Sequence, residues 1–321
     1  MRNTFVLLAT ACAVLAGCAP EPEPAASESE TQAAAPAPEL PATIVAERGG
    51  FIPEGVEYDS KNGRILTGSL SEGTIFQVHA DGRVTPAVTD PDLRSSVGIE
   101  VDEPRDRLLV ANSDRSVFQA GGAGQAKLGV YNLTTGERIA MVDLAAAITD
   151  APDTAVYFAN DVAVDDDGTA YVTDTRMNVI YRVSPDYQAS VLHRFQPAEG
   201  VALNGIVYHA SGYLLVASGA TLYKVPLDNP AQASQVTLPE AVPGQDGMLW
   251  TADGRLAIVS NSANRVVALR SNDDWASAQL AGVATFSDQA TTAAAVGDAI
   301  YVVHPHFADA EPPSIARVTF Q

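Results

Sequence analysis

The chain has 321 residues, enough for one large domain or two of ordinary size, and its hydrophobic content of 46% is typical of a globular protein. Acidic residues outnumber basic ones by 39 to 19, which gives a net charge of −20. This charge argues against a nucleic-acid-binding role, because a phosphate backbone would be repelled. It suits a secreted protein and tolerates bound cations, although solubility alone would also account for it.

The first residues predict a secretory signal sequence. Arg2 precedes an apolar run over residues 5–17, which is too short for a permanent membrane span. The run ends in Leu15-Ala16-Gly17-Cys18, which resembles the lipobox of bacterial lipoproteins, with Cys18 as the lipidated first residue of the mature chain. The alternative is an ordinary cleavage site followed by a chance cysteine. Ala19 resembles the residue found after that cysteine in lipoproteins of the outer membrane, so we expect the periplasmic face of that membrane.

Residues 18–42 predict a lipidated cysteine followed by a disordered tether. The stretch consists mainly of Pro, Ala, Glu and Ser without an apolar period. It has no lysine or arginine, so we expect membrane contact only through the lipid. The other cysteine, Cys12, lies in the segment that would be removed, which excludes an internal disulfide in the mature chain.

From residue 43 onward the sequence consists of short β-type runs separated by turn residues. Residues 157–175 show the pattern well, with two short strands joined by a polar turn that ends in Asp167-Gly168. Six variants of this pattern align, and their equivalent positions are Glu54, Val97, Asn160, Asn204, Asp246 and, approximately, Gln289.

The interval between copies, about 43 residues, is typical of propeller blades. We therefore predict an all-β fold over residues 43–321, a six-bladed β-propeller with four-stranded blades. A pair of β-sandwiches is the competing fold, but it does not explain the regular period. The domain is expected to be a monomer.

Three segments lie outside the repeat. Residues 113–127, with Gly121 and Gly124, predict a surface loop or a lid, and residues 144–154 predict a short helix. Residues 42–47 predict an additional strand before the first blade. We expect this strand to become the outer strand of blade six and to close the ring, which removes exposed sheet edges.

The equivalent positions of the blades converge at one mouth of the central channel of a propeller. Four of them, Glu54, Asn160, Asn204 and Asp246, carry oxygen donors of the kind that hard cations prefer. Ca²⁺ suits such a wide ring best, with Mg²⁺ next and Zn²⁺ as a further candidate. Any one of these residues is better explained as a turn cap, but capping does not require the same offset in four blades.

These motifs resemble the senescence marker protein/gluconolactonase (regucalcin-like) family. The resemblance covers residues 43–321 and rests on Pro53-Glu54-Gly55, Asn160-Asp161, Asn204-Gly205 and Asp246-Gly247. It implies a calcium-type ion held by Glu54, Asn204 and Asp246, with Asn160 close to both ion and substrate. Sugar lactonases of the family have an arginine two residues before the blade-three asparagine. Here that residue is Phe158, which indicates a less polar lactone or ester.

The predicted activity is metal-assisted hydrolysis of a small lactone or related ester. Asp246 is the first candidate for general base or nucleophile, with Glu54 second, and Asn160 is expected to act beside it. Phe158 and Gln289 are the candidate substrate contacts. The alternative function is a non-catalytic propeller that binds a ligand or protein around a structural ion. His304 and His306 are weaker candidates for metal or base, because Pro305 between them indicates a loop.

Overall fold

The computed structural model describes Met1 and residues 39–196, 203–307 and 311–321. The predicted signal sequence, the lipidation site Cys18 and most of the tether lie outside the described residues. In the part of the chain described here, no helix is long and apolar enough to cross a membrane.

Short strands with alternating or fully buried apolar residues make up almost all of the regular structure. In chain order they are β1 Thr43–Val45, β2 Val56–Asp59, β3 Arg64–Thr67, β4 Ile75–Val78, β5 Val84–Val88, β6 Ser95–Asp102, β7 Arg107–Ser113, β8 Gly124–Gln125, β9 Lys127–Asn132, β10 Arg138–Asp143, β11 Tyr157–Val164, β12 Ala170–Asp174, β13 Val179–Val183, β14 Ala189–Arg194, β15 Leu203–His209, β16 Tyr213–Ser218, β17 Thr221–Pro226, β18 Ser234–Gln235, β19 Gln245–Trp250, β20 Leu256–Ser260, β21 Arg265–Arg270, β22 Gln279–Thr285, β23 Ala293–Val296, β24 Ala299–His304 and β25 Ser314–Val318.

These strands form six antiparallel sheets, which confirms the six-bladed propeller. Blades one to five run outward from the channel in the orders β2-β3-β4-β5, β6-β7-β9-β10, β11-β12-β13-β14, β15-β16-β17-β18 and β19-β20-β21-β22. Blade six is β23-β24-β25-β1, so the strand that precedes blade one supplies its outer edge, with Ile44 opposite Ile315. The ring is therefore closed by hydrogen bonds between the first and last strands of the propeller, as the sequence predicts.

Hydrophobic cores lie between neighbouring blades. Ile44, Val56 and Val303 belong to the core between blades six and one. The core between blades two and three includes Leu128, Val172 and Tyr181. A single sheet could not bury both of its faces, and the ring solves this by stacking each blade against the next.

Both insertions are ordered. Residues 113–127 contain a 3-10 helix, Arg115–Phe118, followed by β8, which pairs in parallel with β11 through Tyr157 and Gly124. The second insertion contains the 3-10 helix Ala145–Ala147, in agreement with the predicted short helix. The first insertion is thus joined to the inner strand of blade three, close to the mouth of the channel.

Candidate functional site

The inner strands of the blades break their register at the same place. The pairing of inner and second strands shifts at 97–98 in blade two, at 160–161 in blade three, at 204–205 in blade four and at 246–247 in blade five. Such bulges turn a side chain away from the ladder. In blade one the equivalent pair, 54–55, directly precedes β2. The predicted mouth residues thus share one structural position in five blades.

In blade six the equivalent residue is Thr291, which corrects the predicted alignment with Gln289. The Gly247 amide donates to the Thr291 carbonyl at 2.9 Å, just as the Gly55 amide donates to the Val97 carbonyl at 3.1 Å. The Thr291 hydroxyl also donates to the Glu54 carbonyl at 2.8 Å, across the closure of the ring. Gln289 is exposed and does not line the cavity.

A cavity of about 350 Å³ occupies the channel below the mouth. Glu54, Asn160, Asn204 and Asp246 all line it, so the structure brings together the four predicted ligands. Five carboxyl groups belong to its lining: Glu54, Glu57, Glu100, Asp161 and Asp246. The lining includes no lysine, arginine or histidine among the residues described. Burial of five like charges without a basic partner is costly unless protons or cations are bound.

Of the two carboxylate oxygens of Asp246, one accepts a hydrogen bond and the other has no hydrogen-bond partner among the described residues. Its side chain is 7% exposed, and Oδ2 accepts a hydrogen bond of 3.0 Å from Asn261 Nδ2. Oδ1 is buried without a hydrogen-bond partner among the described residues. Burial, followed by repulsion from Asp161, raises the pKa of Asp246 to about 8, although the Asn261 and Asn204 side chains oppose the shift. An oxygen in this state is suited to a proton or a cation.

Asn261 was not among the residues predicted from the sequence. It lies in the short 3-10 helix that follows β20, and it also accepts a hydrogen bond from the Gln289 side chain. Gln289 is therefore linked to Asp246 through Asn261 rather than placed in the cavity. Its bond to Asp246 lies within blade five and spans 15 residues, the same offset at which Thr175 meets Asn160 in blade three, so the aligned repeats carry a signal for it.

Glu54 and Asp161 carry two carboxyl groups that interact electrostatically with Asp246. Burial is the main cause that raises the pKa of Glu54 well above its usual value, with repulsion from Asp246 and Asp161 added to it. Burial also raises the pKa of Asp161 to about 7. The carboxylate of Asp161 accepts the amides of Val162 at 2.9 Å and, from the next blade, Ile206 at 3.1 Å.

Asp161 stands where four other blades have glycine. The equivalent residues are Gly55, Gly98, Gly205 and Gly247. A Cβ atom at Gly98 would lie 2.4 Å from Asp161 Oδ1 and 2.6 Å from the Asn160 carbonyl oxygen. Glycine in blade two therefore leaves the space that the carboxylate of blade three occupies. In the aligned repeats, an aspartate at a position that is glycine in four other blades is the pattern by which Asp161 could have been recognised as a site residue.

The two asparagines are fixed differently. Asn160 is 7% exposed, and its Nδ2 donates to the Thr175 hydroxyl at 2.9 Å. Thr175 in turn donates to the Leu203 carbonyl at 2.7 Å, which links blades three and four. Because the amide nitrogen of Asn160 is engaged, its carbonyl oxygen is the atom left for a ligand. Asn204 is held through its backbone, whose carbonyl accepts a bond of 2.7 Å from Thr173.

Glu57 and Glu100 lie deeper in the channel, three residues after the mouth positions of blades one and two. Burial and repulsion from Asp161 raise the pKa of Glu57 to about 8. Burial and repulsion from Glu57 and Asp161 raise the pKa of Glu100 well above its usual value. Their equal offset from Glu54 and Val97 could have been read from the aligned repeats.

Phe158 and His304 do not line the cavity. Phe158 is 5% exposed and packs edge-to-face on Phe118 of the first insertion, with ring centroids 4.8 Å apart. It therefore supports the insertion instead of facing the channel. His304 is buried beside Phe286, and burial lowers its pKa. A direct substrate contact by Phe158 would require a ligand that reaches beyond the channel.

The four mouth residues fit a hard cation. All of them offer oxygen, two carry a carboxylate, and the unpartnered Oδ1 of Asp246 is an acceptor that the fold leaves for a ligand. No group of three or more His, Cys, Asp or Glu side chains within the described ranges has the arrangement of a metal site. The asparagine oxygens are thus an essential part of any site here.

No family model matches the chain, and no curated protein matches it either. Solved structures do. The major allergen Mala s 1 of Malassezia sympodialis is 17% identical with a TM-score of 0.73, and the match covers 88% of this chain and 97% of the allergen. A structure assigned provisionally as a gluconolactonase is 17% identical with a TM-score of 0.58. The match covers 88% of this chain and 95% of that protein.

An enzyme of a different kind also shares this fold. Virginiamycin B lyase from Staphylococcus aureus is 13% identical with a TM-score of 0.57, and the match covers 83% of this chain and 80% of the lyase. At these identities the likeness shows the fold alone. The six-bladed propeller is thus common to this chain, to enzymes and to an allergen, and the function must be argued from the residues of the site.

Proposed function

We propose that this protein hydrolyses a lactone or related ester at the mouth of its channel, with a divalent cation, Ca²⁺ first, held by Glu54, Asn160, Asn204 and Asp246. The observation that carries the proposal is the buried, unpartnered Oδ1 of Asp246 in a cavity lined with oxygen donors and excess negative charge. The provisional gluconolactonase among the similar structures supports the reaction class.

Each residue of the mouth has a distinct task in this proposal. A bound divalent cation supplies Lewis-acid stabilisation of the negative charge that develops on the carbonyl oxygen of the substrate. Glu54 and Asp246 provide the compensating charge, and Asn160 and Asn204 provide neutral oxygens. Thr175 and Asn261 orient Asn160 and Asp246 by the hydrogen bonds described above.

Asp246 is the proposed base. Its Oδ2 is oriented by Asn261 and keeps a second lone pair for the cation, so Oδ1 is the atom that takes a proton from the attacking water. The water oxygen bonds to the carbonyl carbon, the bond between that carbon and the ring oxygen breaks, and the proton passes to the ring oxygen. The product is a hydroxy acid. In the nucleophilic variant, Oδ1 attacks the carbonyl carbon, the bond from that carbon to the ring oxygen breaks, and water then hydrolyses the acyl-Asp246 to release the same hydroxy acid.

A structural ion without catalysis is the second candidate. Five carboxyl groups in one channel need charge compensation whether or not a reaction takes place. In that case the protein binds a ligand or partner on the propeller, and the cation only stabilises the ring. Both candidates predict cation binding, so they differ in turnover alone.

The test combines a panel of lactones and esters with chelation and readdition of Ca²⁺. We expect hydrolysis that disappears with chelator, returns with Ca²⁺ and is lost in Asp246→Asn, which keeps the size of the side chain. Glu137→Gln is the matched control, because it removes one negative charge from an exposed turn. Absence of chelator-sensitive turnover across the panel would leave only the structural ion. Absence of any bound divalent cation would overturn both candidates.

A further inference from the structure

Two arginines near the channel mouth lack the carboxylate partners that most arginines of this chain have. Arg115 is in the 3-10 helix of the first insertion, and Arg176 directly follows Thr175. Neither guanidinium forms an ion pair or a hydrogen bond with another residue in the described ranges. The acidic neighbours are engaged elsewhere. Asp114 pairs with Arg94 at 3.0 Å, and the Asp174 carboxylate accepts backbone amides and the Tyr181 hydroxyl.

The exposed ring of Phe118 contacts Arg176 and lies in the same 3-10 helix as Arg115. The Arg176 guanidinium carbon is 5.5 Å from the centre of the Phe118 ring. Arg115 and Phe118 are three residues apart in a 3-10 helix, where residues i and i+3 lie on the same face. The ring is 52% exposed, which is unusual for a phenylalanine in an ordered element. The result is an exposed apolar ring with two arginines as neighbours, one in contact with it and one on the same face of its helix.

This group is attached to the mouth of the channel. The Arg115 amide donates to the Ser95 hydroxyl at 3.1 Å, and Ser95 is two residues before Val97. Phe118 packs on Phe158, two residues before Asn160, and Arg176 follows the threonine that holds Asn160. The arginines are therefore attached next to the mouth positions of blades two and three, outside the lining of the acidic cavity.

We infer that Arg115, Phe118 and Arg176 bind an organic carboxylate, so that the substrate is a lactone or ester whose apolar body ends in a carboxylate. This assignment of the substrate class rests on the proposed function. Guanidinium groups bind carboxylates through paired hydrogen bonds, and the ring offers apolar contact to the rest of the molecule. A carboxylate is preferred to a phosphate because its single charge is repelled less by the acidic channel.

The first test measures binding without turnover. Phenylacetate is titrated into the purified protein and followed by ligand-observed NMR, with Ca²⁺ and with chelator. We expect binding that weakens about tenfold in Arg115→Gln and in Arg176→Gln, and further in the double variant. Arg182→Gln is the matched control, since Arg182 is an exposed arginine of blade three without an ion pair in the described structure. Equal binding by all variants, or tighter binding of phenyl phosphate, would overturn the assignment.

The second test measures specificity with two lactones that share one ring, one neutral and one bearing a carboxylate. We expect the ratio of kcat/KM, charged over neutral, to fall about tenfold in Arg176→Gln and to stay constant in Arg182→Gln. Hydrolysis of both lactones with an unchanged ratio would refute the carboxylate site and leave the hydrolase intact. Phenylacetate binding that needs both arginines, without hydrolysis of any lactone, would support the site and refute the hydrolase.

Discussion

Replacing Glu57 by glutamine should stabilise the cation-free protein at high pH and leave its stability almost unchanged at low pH. Burial and repulsion from Asp161 raise the pKa of Glu57 from 4.5 to about 8. Between these two pH values the folded protein binds more protons than the unfolded chain, so its stability falls as the pH rises. Glutamine has almost the same shape and no charge, and it removes this pH-dependent loss.

The size of the effect follows from the pKa. A rise from 4.5 to about 8 corresponds to about 5 kcal/mol, at about 1.4 kcal/mol for each tenfold change in proton affinity. The cavity of about 350 Å³ has room for water, which screens the charge and reduces the cost. We therefore expect Glu57→Gln to raise the free energy of unfolding by about 2 kcal/mol at pH 8.5, or Tm by about 4 °C for a domain of this size.

Thermal unfolding followed by near-UV circular dichroism, with chelator present, measures this difference at pH 4.5 and at pH 8.5. Glu137→Gln serves as control, because it removes the same charge from an exposed turn. The reasoning is refuted if Glu57→Gln raises Tm equally at both pH values, or if the control has the same effect at pH 8.5. Addition of Ca²⁺ at pH 8.5 should reduce the difference in Tm between Glu57→Gln and the unmodified protein.

Four further predictions concern the mouth. Ca²⁺ should raise Tm in proportion to the logarithm of its concentration, and Asp246→Asn should abolish most of this shift; an equal shift in the variant would exclude Asp246 as a ligand. Calcium affinity measured by titration calorimetry should increase between pH 6 and pH 9, because the raised pKa of Asp246, about 8, means that the ion displaces a proton. Gly98→Ala should lower Tm sharply, since its methyl group would lie 2.4 Å from Asp161 Oδ1. An unchanged Tm would mean that the Asp161 carboxylate does not lie against Gly98. Thr291→Val should cost about 1–3 kcal/mol by leaving the Glu54 carbonyl without its hydroxyl donor, whereas Thr291→Ser should retain most of the stability.

The sequence alone determines the architecture, because each blade is a local unit. Turn residues and short apolar runs repeat along the chain, and this pattern is readable without any knowledge of distant contacts. The number of blades, the closing role of β1 and the convergence of Glu54, Asn160, Asn204 and Asp246 all follow from the repeat. A polar residue at one offset in several blades must reach the same mouth once the ring closes.

Only the tertiary structure decides how the mouth is completed. The repeat is weakest in blade six, and the hydrogen bonds of Thr291 to Gly247 and Glu54 were needed to replace Gln289 at that position. The hydrogen bond from Gln289 to Asn261 joins blades six and five, which no local pattern predicts.

The tertiary structure also decides the pKa values of the buried carboxyl groups and the surroundings of Phe158. Glu57, Glu100 and Asp161 come from three blades, and their repulsion exists only because the ring brings them into one cavity. Phe158, read from the sequence as a substrate contact, is instead buried against Phe118 of a distant insertion. Local pattern fixes which strands form, but the closed ring fixes which side chains share a dielectric environment, and that environment sets their chemistry.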